Sequence, residues 1–167
     1  MQSDNSDDLK THIKQTKPFS SIEEEILLRL IRTGDRLQYE INQMLKKKKL
    51  TITQYNALRI LRGAGDAGLP CHDIGERMIT KVPDVTRLLD RLEDNGLVTR
   101  TRQTDDRRVV RARISPAGMS LLQGLDEPMR QFHIQQVTGM DRAKLSQLND
   151  LLRSIRSGKA SSSGSAQ

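Results

Sequence analysis

The chain has 167 residues, enough for one sizeable core and too few for two ordinary domains with generous linkers. Lysine and arginine outnumber aspartate and glutamate by 28 to 21, a balance that favours an anionic partner, either nucleic acid or an acidic membrane surface. No apolar run approaches the roughly 20 residues of a bilayer-spanning helix, the N-terminus lacks a signal-peptide layout, and the single cysteine, Cys71, has no partner for an internal disulfide. The expectation is a cytoplasmic protein without a membrane partner. With aromatic residues at 2%, its core has to be built from Leu, Ile, Val and Met.

Residues 1–18 are polar, include several aspartates and show no periodicity, so an unordered arm is expected over 1–19. Ser21-Ile22-Glu23-Glu24 has the spacing of a capping box. From there Ile26, Leu30, Leu37, Ile41 and Leu45 keep helical spacing to about Lys48, with Gly34 as a weak point. Thr51-Ile52-Thr53-Gln54 is a second capping box, opening a helix that should bury Tyr55, Leu58 and Leu61 and stop near Gly63 or Gly65. Gly68-Leu69-Pro70 separates it from a helix of about two turns, Cys71 to Ile79, anchored by Ile74 and Met78.

The turn Thr80-Lys81-Val82 leads into the most informative stretch. Pro83 suits a first helical position, and Asn95-Gly96 supplies a left-handed stop. Between them Val85, Leu88, Leu89 and Leu92 commit one side to a core, while Asp84, Thr86, Arg87, Asp90 and Arg91 lie on the other. Short helices, a tight turn and a polar-faced helix make a helix-turn-helix.

After Gly96 the period changes to 2. Val98 and Arg100 alternate with Thr99 and Thr101, and Val110, Ala112 and Ile114 alternate with Arg111 and Arg113, as in two strands joined by a turn at Thr104-Asp105-Asp106-Arg107. Arg100, Arg102, Arg107, Arg108, Arg111 and Arg113 crowd this hairpin. Ser115-Pro116 restarts a helix whose buried side is marked by Leu121, Leu122, Leu125, Met129 and Phe132. Thr138-Gly139 breaks it, and Asp141 caps a last helix carrying Leu145, Leu148, Leu151, Leu152 and Ile155. That is more leucine than one terminal helix needs to bury itself, so it should pack against another subunit. Ser157 to Gln167 reads as a disordered Gly/Ser/Ala tail.

In order and in residues, the chain resembles the MarR family of winged helix-turn-helix transcription regulators over roughly Ser21 to Ile155. The most specific parts are Leu50-Thr51-x-x-Gln54, Thr86-Arg87-Leu88-Leu89-Asp90-Arg91-Leu92-Glu93, and Asp106-x-Arg108 followed by Ile114-Ser115-x-x-Gly118. The resemblance implies a mainly α fold with a small β-wing and a single domain over 20–156. A DNA-binding lobe at about 50–115 would be carried by dimerisation helices at about 20–48 and 116–156. It also implies an obligate homodimer, Thr86 and Arg87 in the major groove, Arg108 in the flanking minor groove and Asp106 holding the wing. A small aromatic or amphipathic effector, bound between the lobes, would release the DNA.

The candidate DNA-contact residues are Thr80, Lys81, Pro83, Asp84, Thr86, Arg87 and Arg91 around the reading helix, with Asp106, Arg107 and Arg108 in the wing. Arg87 and Arg91 lie one turn apart, and a bidentate arginine–guanine contact is worth about 1–3 kcal/mol of base discrimination. The competing reading makes them surface ion pairs, Arg87 with Asp84 or Asp90 and Arg91 with Glu93 or Asp94. The wing arginines have an obvious partner in phosphate or a narrow A·T-rich minor groove, the alternative being a solvated edge strand. Lys46 to Lys49 reads as a solvated helix end.

Cys71 beside His72 invites a thiolate reading, but adjacent helical side chains diverge by about 100° and a lone small thiol is more often packing. His12, His72 and His133 lack ligand spacing, so no metal and no cofactor are expected. No nucleophile–base pair, apolar carboxylate pair or phosphate-cradling loop suggests an enzyme. The function expected is sequence-specific DNA binding by a dimeric repressor, on a pseudopalindrome with half-sites about 10 bp apart. Two alternatives stand beside it: a winged-helix protein–protein adaptor without DNA binding, and a nonspecific DNA-binding protein.

Overall fold

The computed structural model describes residues 9–102 and 109–157. In chain order the elements are α1 (Leu9–Ile13), α2 (Ile22–Lys46), α3 (Ile52–Ala64), β1 (Leu69–Pro70), α4 (Cys71–Arg77), α5 (Val85–Asp94), β2 (Val98–Arg102), β3 (Val110–Ile114), α6 (Pro116–Gln136) and α7 (Arg142–Ser157). The fold is mainly helical with one small antiparallel sheet in the order β1-β3-β2. Its residues fall into two compact units, divided after Met119. Among the described residues no helix is long and apolar enough to cross a membrane.

The part of the expected N-terminal arm that is described is not unordered. Leu9–Ile13 forms a helix because Leu9 finds a place to bury, being 4% exposed, and the Lys10 ammonium sits 5.4 Å over the Phe19 ring. Residues 1–8 and the tail beyond Ser157 lie outside the described residues.

Helix α2 starts where its capping residues dictate. Ser21 Oγ accepts the Glu24 amide at 3.2 Å, while the Glu24 carboxylate reaches back to the amide and hydroxyl of Ser20, both at 2.6 Å. The helix then runs through Gly34 without interruption. Its expected buried stripe is only partly buried. Leu45 is fully covered and Leu30, Leu37 and Ile41 are half-buried, but Ile26 is 44% exposed, in company with Ile22, Leu27 and Ile31.

In α3 both halves of the capping box form: Thr51 Oγ1 accepts the Gln54 amide at 3.2 Å, and Gln54 Oε1 accepts the Thr51 amide at 2.9 Å. Tyr55, Ala57, Leu58 and Leu61 enter the core of the first unit. There they join Leu45, Leu50, Leu69, Ile74, Met78, Leu88, Leu89, Leu92, Val98 and Ala112. Each large aliphatic side chain so buried contributes about 1.5–3 kcal/mol. Helix α4 ends at Arg77, short of the expected Ile79. Met78 turns extended and buries, leaving Ile79 82% exposed.

The strands take the expected alternation, with Val98 opposite Ile114 and Arg100 opposite Ala112. A third strand, β1, was not expected. Leu69 and Pro70 pair antiparallel with Ala112 and Arg111 of β3. Gly68 makes this approach possible, because at its φ of +61° a Cβ would collide with the Ala112 carbonyl. Ser115 and Pro116 open α6 as expected, Ser115 Oγ donating to the Gly96 carbonyl at 2.6 Å and accepting the Gly118 amide at 3.0 Å. Gly118 in turn lies against the Leu97 carbonyl. In the second unit Leu122, Leu125, Met129 and Phe132 are buried and Leu121 half-buried. Asp141 caps α7 by accepting the Lys144 amide at 2.8 Å.

Candidate nucleic-acid interface

Helix α5 is fixed from three directions. Leu88, Leu89 and Leu92 anchor one side in the core. At its start, Asp84 Oδ1 accepts the Arg87 amide at 2.8 Å, satisfying an N–H that the helix itself leaves without a partner. The helix therefore begins at Val85, with Asp84 as its cap and Pro83 one residue outside; the expected start at Pro83 is corrected. A proline is equally compatible with either place, and the Asp84 side chain decides between them.

The third fixation comes from β2. The Arg100 guanidinium donates to Glu93 Oε2 through Nε at 2.8 Å and Nη2 at 2.6 Å, and Nη2 also lies 2.6 Å from Asp90 Oδ1. Glu93 Oε1 accepts the Arg100 backbone amide at 3.0 Å. These bonds to Glu93, joined by the one to Asp90, push the arginine pKa up against the opposing effect of burial.

Successive helical residues lie about 100° apart, so α5 has three sectors. Arg87 and Arg91 share the one facing away from the core. Thr86, Asp90 and Glu93 lie on the flank toward β2. Thr80, Lys81, Pro83, Asp84, Thr86, Arg87 and Arg91 are all exposed. Neither guanidinium on α5 takes part in an ion pair among the described residues. Of the acids that the competing reading pairs with them, Asp84 is engaged with a backbone amide and Asp90 and Glu93 with Arg100.

The wing is less uniformly available than its six arginines suggest. Besides Arg100, two more fold back onto the protein. Arg111 Nη1 donates to the carbonyls of Ala67 and Gly68 at 3.3 and 3.2 Å, and Arg113 Nε donates to the Asp66 carbonyl at 2.7 Å. Arg102 is exposed. Asp106, Arg107 and Arg108, the wing residues singled out from the sequence, lie outside the described residues.

A cleft of about 460 Å³ runs between α4, α5 and the strands, lined in part by Cys71, Val85, Thr86, Arg100 and Val110. Burial pushes the Cys71 thiol pKa up, with Arg100 opposing, so the thiol is not activated as a thiolate. His72 is held by Asp73 at 2.7 Å and Glu76 at 3.2 Å. Among the described residues no cluster of three metal-ligating side chains occurs. On α7, Leu148, Leu151, Leu152 and Ile155 are exposed and Leu145 is half-buried.

Two features of the site escaped the sequence reading. The capping role of Asp84 had a signal, an N-cap residue type three before Arg87. The ties of Arg100, Arg111 and Arg113 had none, since alternation shows which face a side chain takes and not what it meets there.

The MarR family model matches residues 50–110. A MarR transcription factor from Planctomyces limnophilus, known as a crystal structure, is 38% identical, with a TM-score of 0.64 over 83% of this chain and 98% of that one. The HTH-type transcriptional regulator PrsX of Escherichia coli is 30% identical over 68% of this chain and 69% of its own length. The S. aureus MepR–DNA complex shares the fold, with a TM-score of 0.72, 21% identity and coverage of 84% of this chain and 99% of that one. The chain belongs to the MarR family of winged helix-turn-helix transcription regulators.

Proposed function

We propose that the protein is a sequence-specific DNA-binding regulator acting in the cytoplasm as a homodimer. It represses by occluding polymerase from a pseudopalindromic operator, and a small-molecule effector releases it. The observation that carries this reading is the pair Arg87 and Arg91. Two exposed guanidinium groups stand one turn apart on a helix held by its cap, its core face and Arg100. Such a pre-organised pair is suited to bidentate contacts with base edges.

Support for the dimer comes from apolar side chains left uncovered on α7 and on α2, where Ile22, Ile26, Leu27 and Ile31 are exposed. Each such face, taken by itself, is of the kind that marks an interaction surface. The effector follows from the family alone, and no cofactor or metal belongs to the reading.

Selection from a randomised duplex library, sequenced after binding at two salt concentrations, tests it. An enriched inverted repeat with half-sites about 10 bp apart is the expected result. Salt-sensitive binding without enrichment would instead identify a nonspecific DNA-binding protein, and no binding at low salt would identify a protein–protein adaptor.

A further inference from the structure

We propose that Arg100 is a positioning residue for DNA recognition, fixing the reading helix to the wing without touching DNA itself. The inference rests on the DNA-binding reading above. Strand β2 lies at the edge of the sheet, with β3 on one side and, among the described residues, no strand on the other. Its unpaired side is closed by the helix: Glu93 takes the Arg100 amide with one carboxylate oxygen and the guanidinium with the other, while Asp90, three residues earlier on the same flank, takes the guanidinium again. The Arg100 side chain is 21% exposed. Charge-assisted, forked contacts of this kind fix direction as well as distance.

The consequence is geometric. Arg87 and Arg91 leave from α5 and the wing tip leaves from β2, so the angle between these two elements decides whether helix and wing can meet DNA together. A supporting contact that holds two recognition elements in register acts on affinity without adding a contact of its own. The charges make the proposal testable by sign. Asp90 and Glu93 together carry one negative charge more than Arg100 neutralises, so removing both carboxylates ought to strengthen DNA binding if electrostatic attraction were the whole effect.

The experiment measures binding to the selected operator as a function of salt for wild type, Arg100→Gln, Arg100→Lys and the double variant Asp90→Asn with Glu93→Gln. All are assayed below the thermal midpoint of the least stable one. Arg100→Gln should bind about tenfold more weakly, with the slope of log K against log salt unchanged. Arg100→Lys should recover part of that loss, and the double variant should also bind more weakly. A slope shallower by about 0.9 would show that Arg100 contacts a phosphate and overturn the proposal. So would tighter binding by the double variant, or unchanged affinity of folded Arg100→Gln. If Arg100→Gln does not fold, the Lys and double variants decide by the same criteria. Failure of the wild type to select any sequence would overturn the sequence-specific reading on which this rests, and is seen before any variant is made.

Discussion

Replacing Asp84 separates a capping role from a DNA-contacting one. The Asp84 carboxylate accepts the Arg87 amide at 2.8 Å at the start of α5, so Asp84→Ala removes both an N-cap acceptor and a negative charge from the positive end of that helix. Loss of the cap costs about 1 kcal/mol and loss of the charge about 0.3–1 kcal/mol. A chain of this size shifts its melting midpoint by about 2–4 °C per kcal/mol, so a drop of about 3–8 °C is expected. Asp84→Asn keeps the acceptor and loses only the charge, which should lower the midpoint by about 1–4 °C, and by less still in high salt. Thermal unfolding followed by circular dichroism, at one protein concentration in low and high salt, reads both values. DNA binding should weaken for Ala more than for Asn, because Arg87 stands in the turn that the cap secures. If Ala melts with wild type, or if Asn is as damaging as Ala, the cap is not what Asp84 supplies.

Paired Leu148→Lys and Leu152→Lys replacements on the uncovered face of α7 should convert the protein to a monomer by light scattering; a persisting dimer would place the interface elsewhere. Gly118→Ala sets a Cβ against the Leu97 carbonyl and 2.9 Å from Ile114 Cγ1, so it should destabilise by about 1–3 kcal/mol. Gly63→Ala, in α3 with nothing within 4 Å, should stabilise by about 0.5–1 kcal/mol; thermal midpoints moving in the same direction would contradict this account of the two sites. Hydrogen bonds from Arg130 and then Gln131 hold the Glu127 carboxyl down to about 2. Because the folded value is the lower one, what this pairing contributes is complete above the ordinary carboxylate range and fades as pH falls toward 2. Carboxyl-carbon NMR should find Glu127 ionised at about pH 3, and a titration midpoint near 4.5 would refute the pairing.

What the sequence discloses is whatever is local. Thr51 with Gln54, Ser115 with Gly118, and Asp141 with Lys144 each form the cap that their spacing announces. The change of period at Gly96 marks the strands correctly. Where two local solutions are equivalent, as for Pro83 at or before the helix start, spacing does not choose between them. Strand β1 has two residues and thus no period to detect. The apolar stripe of α2 shows which face seeks cover, and Ile26 shows that its own chain does not supply it. The wing arginines are the clearest case: Arg111 and Arg113 find carbonyls more than forty residues away. Their charge is plain in the sequence and their engagement is not.

The closing of β2 by Glu93 bears on what else the wing can join. A bare strand edge invites another chain to extend the sheet, by peptide capture or by fibre-like self-association. Here one outer strand has its Arg100 amide covered by a carboxylate, while the other is two residues long and ends in Pro70, which has no N–H to offer. Extension of the sheet by a second chain is thereby discouraged at both of its outer strands.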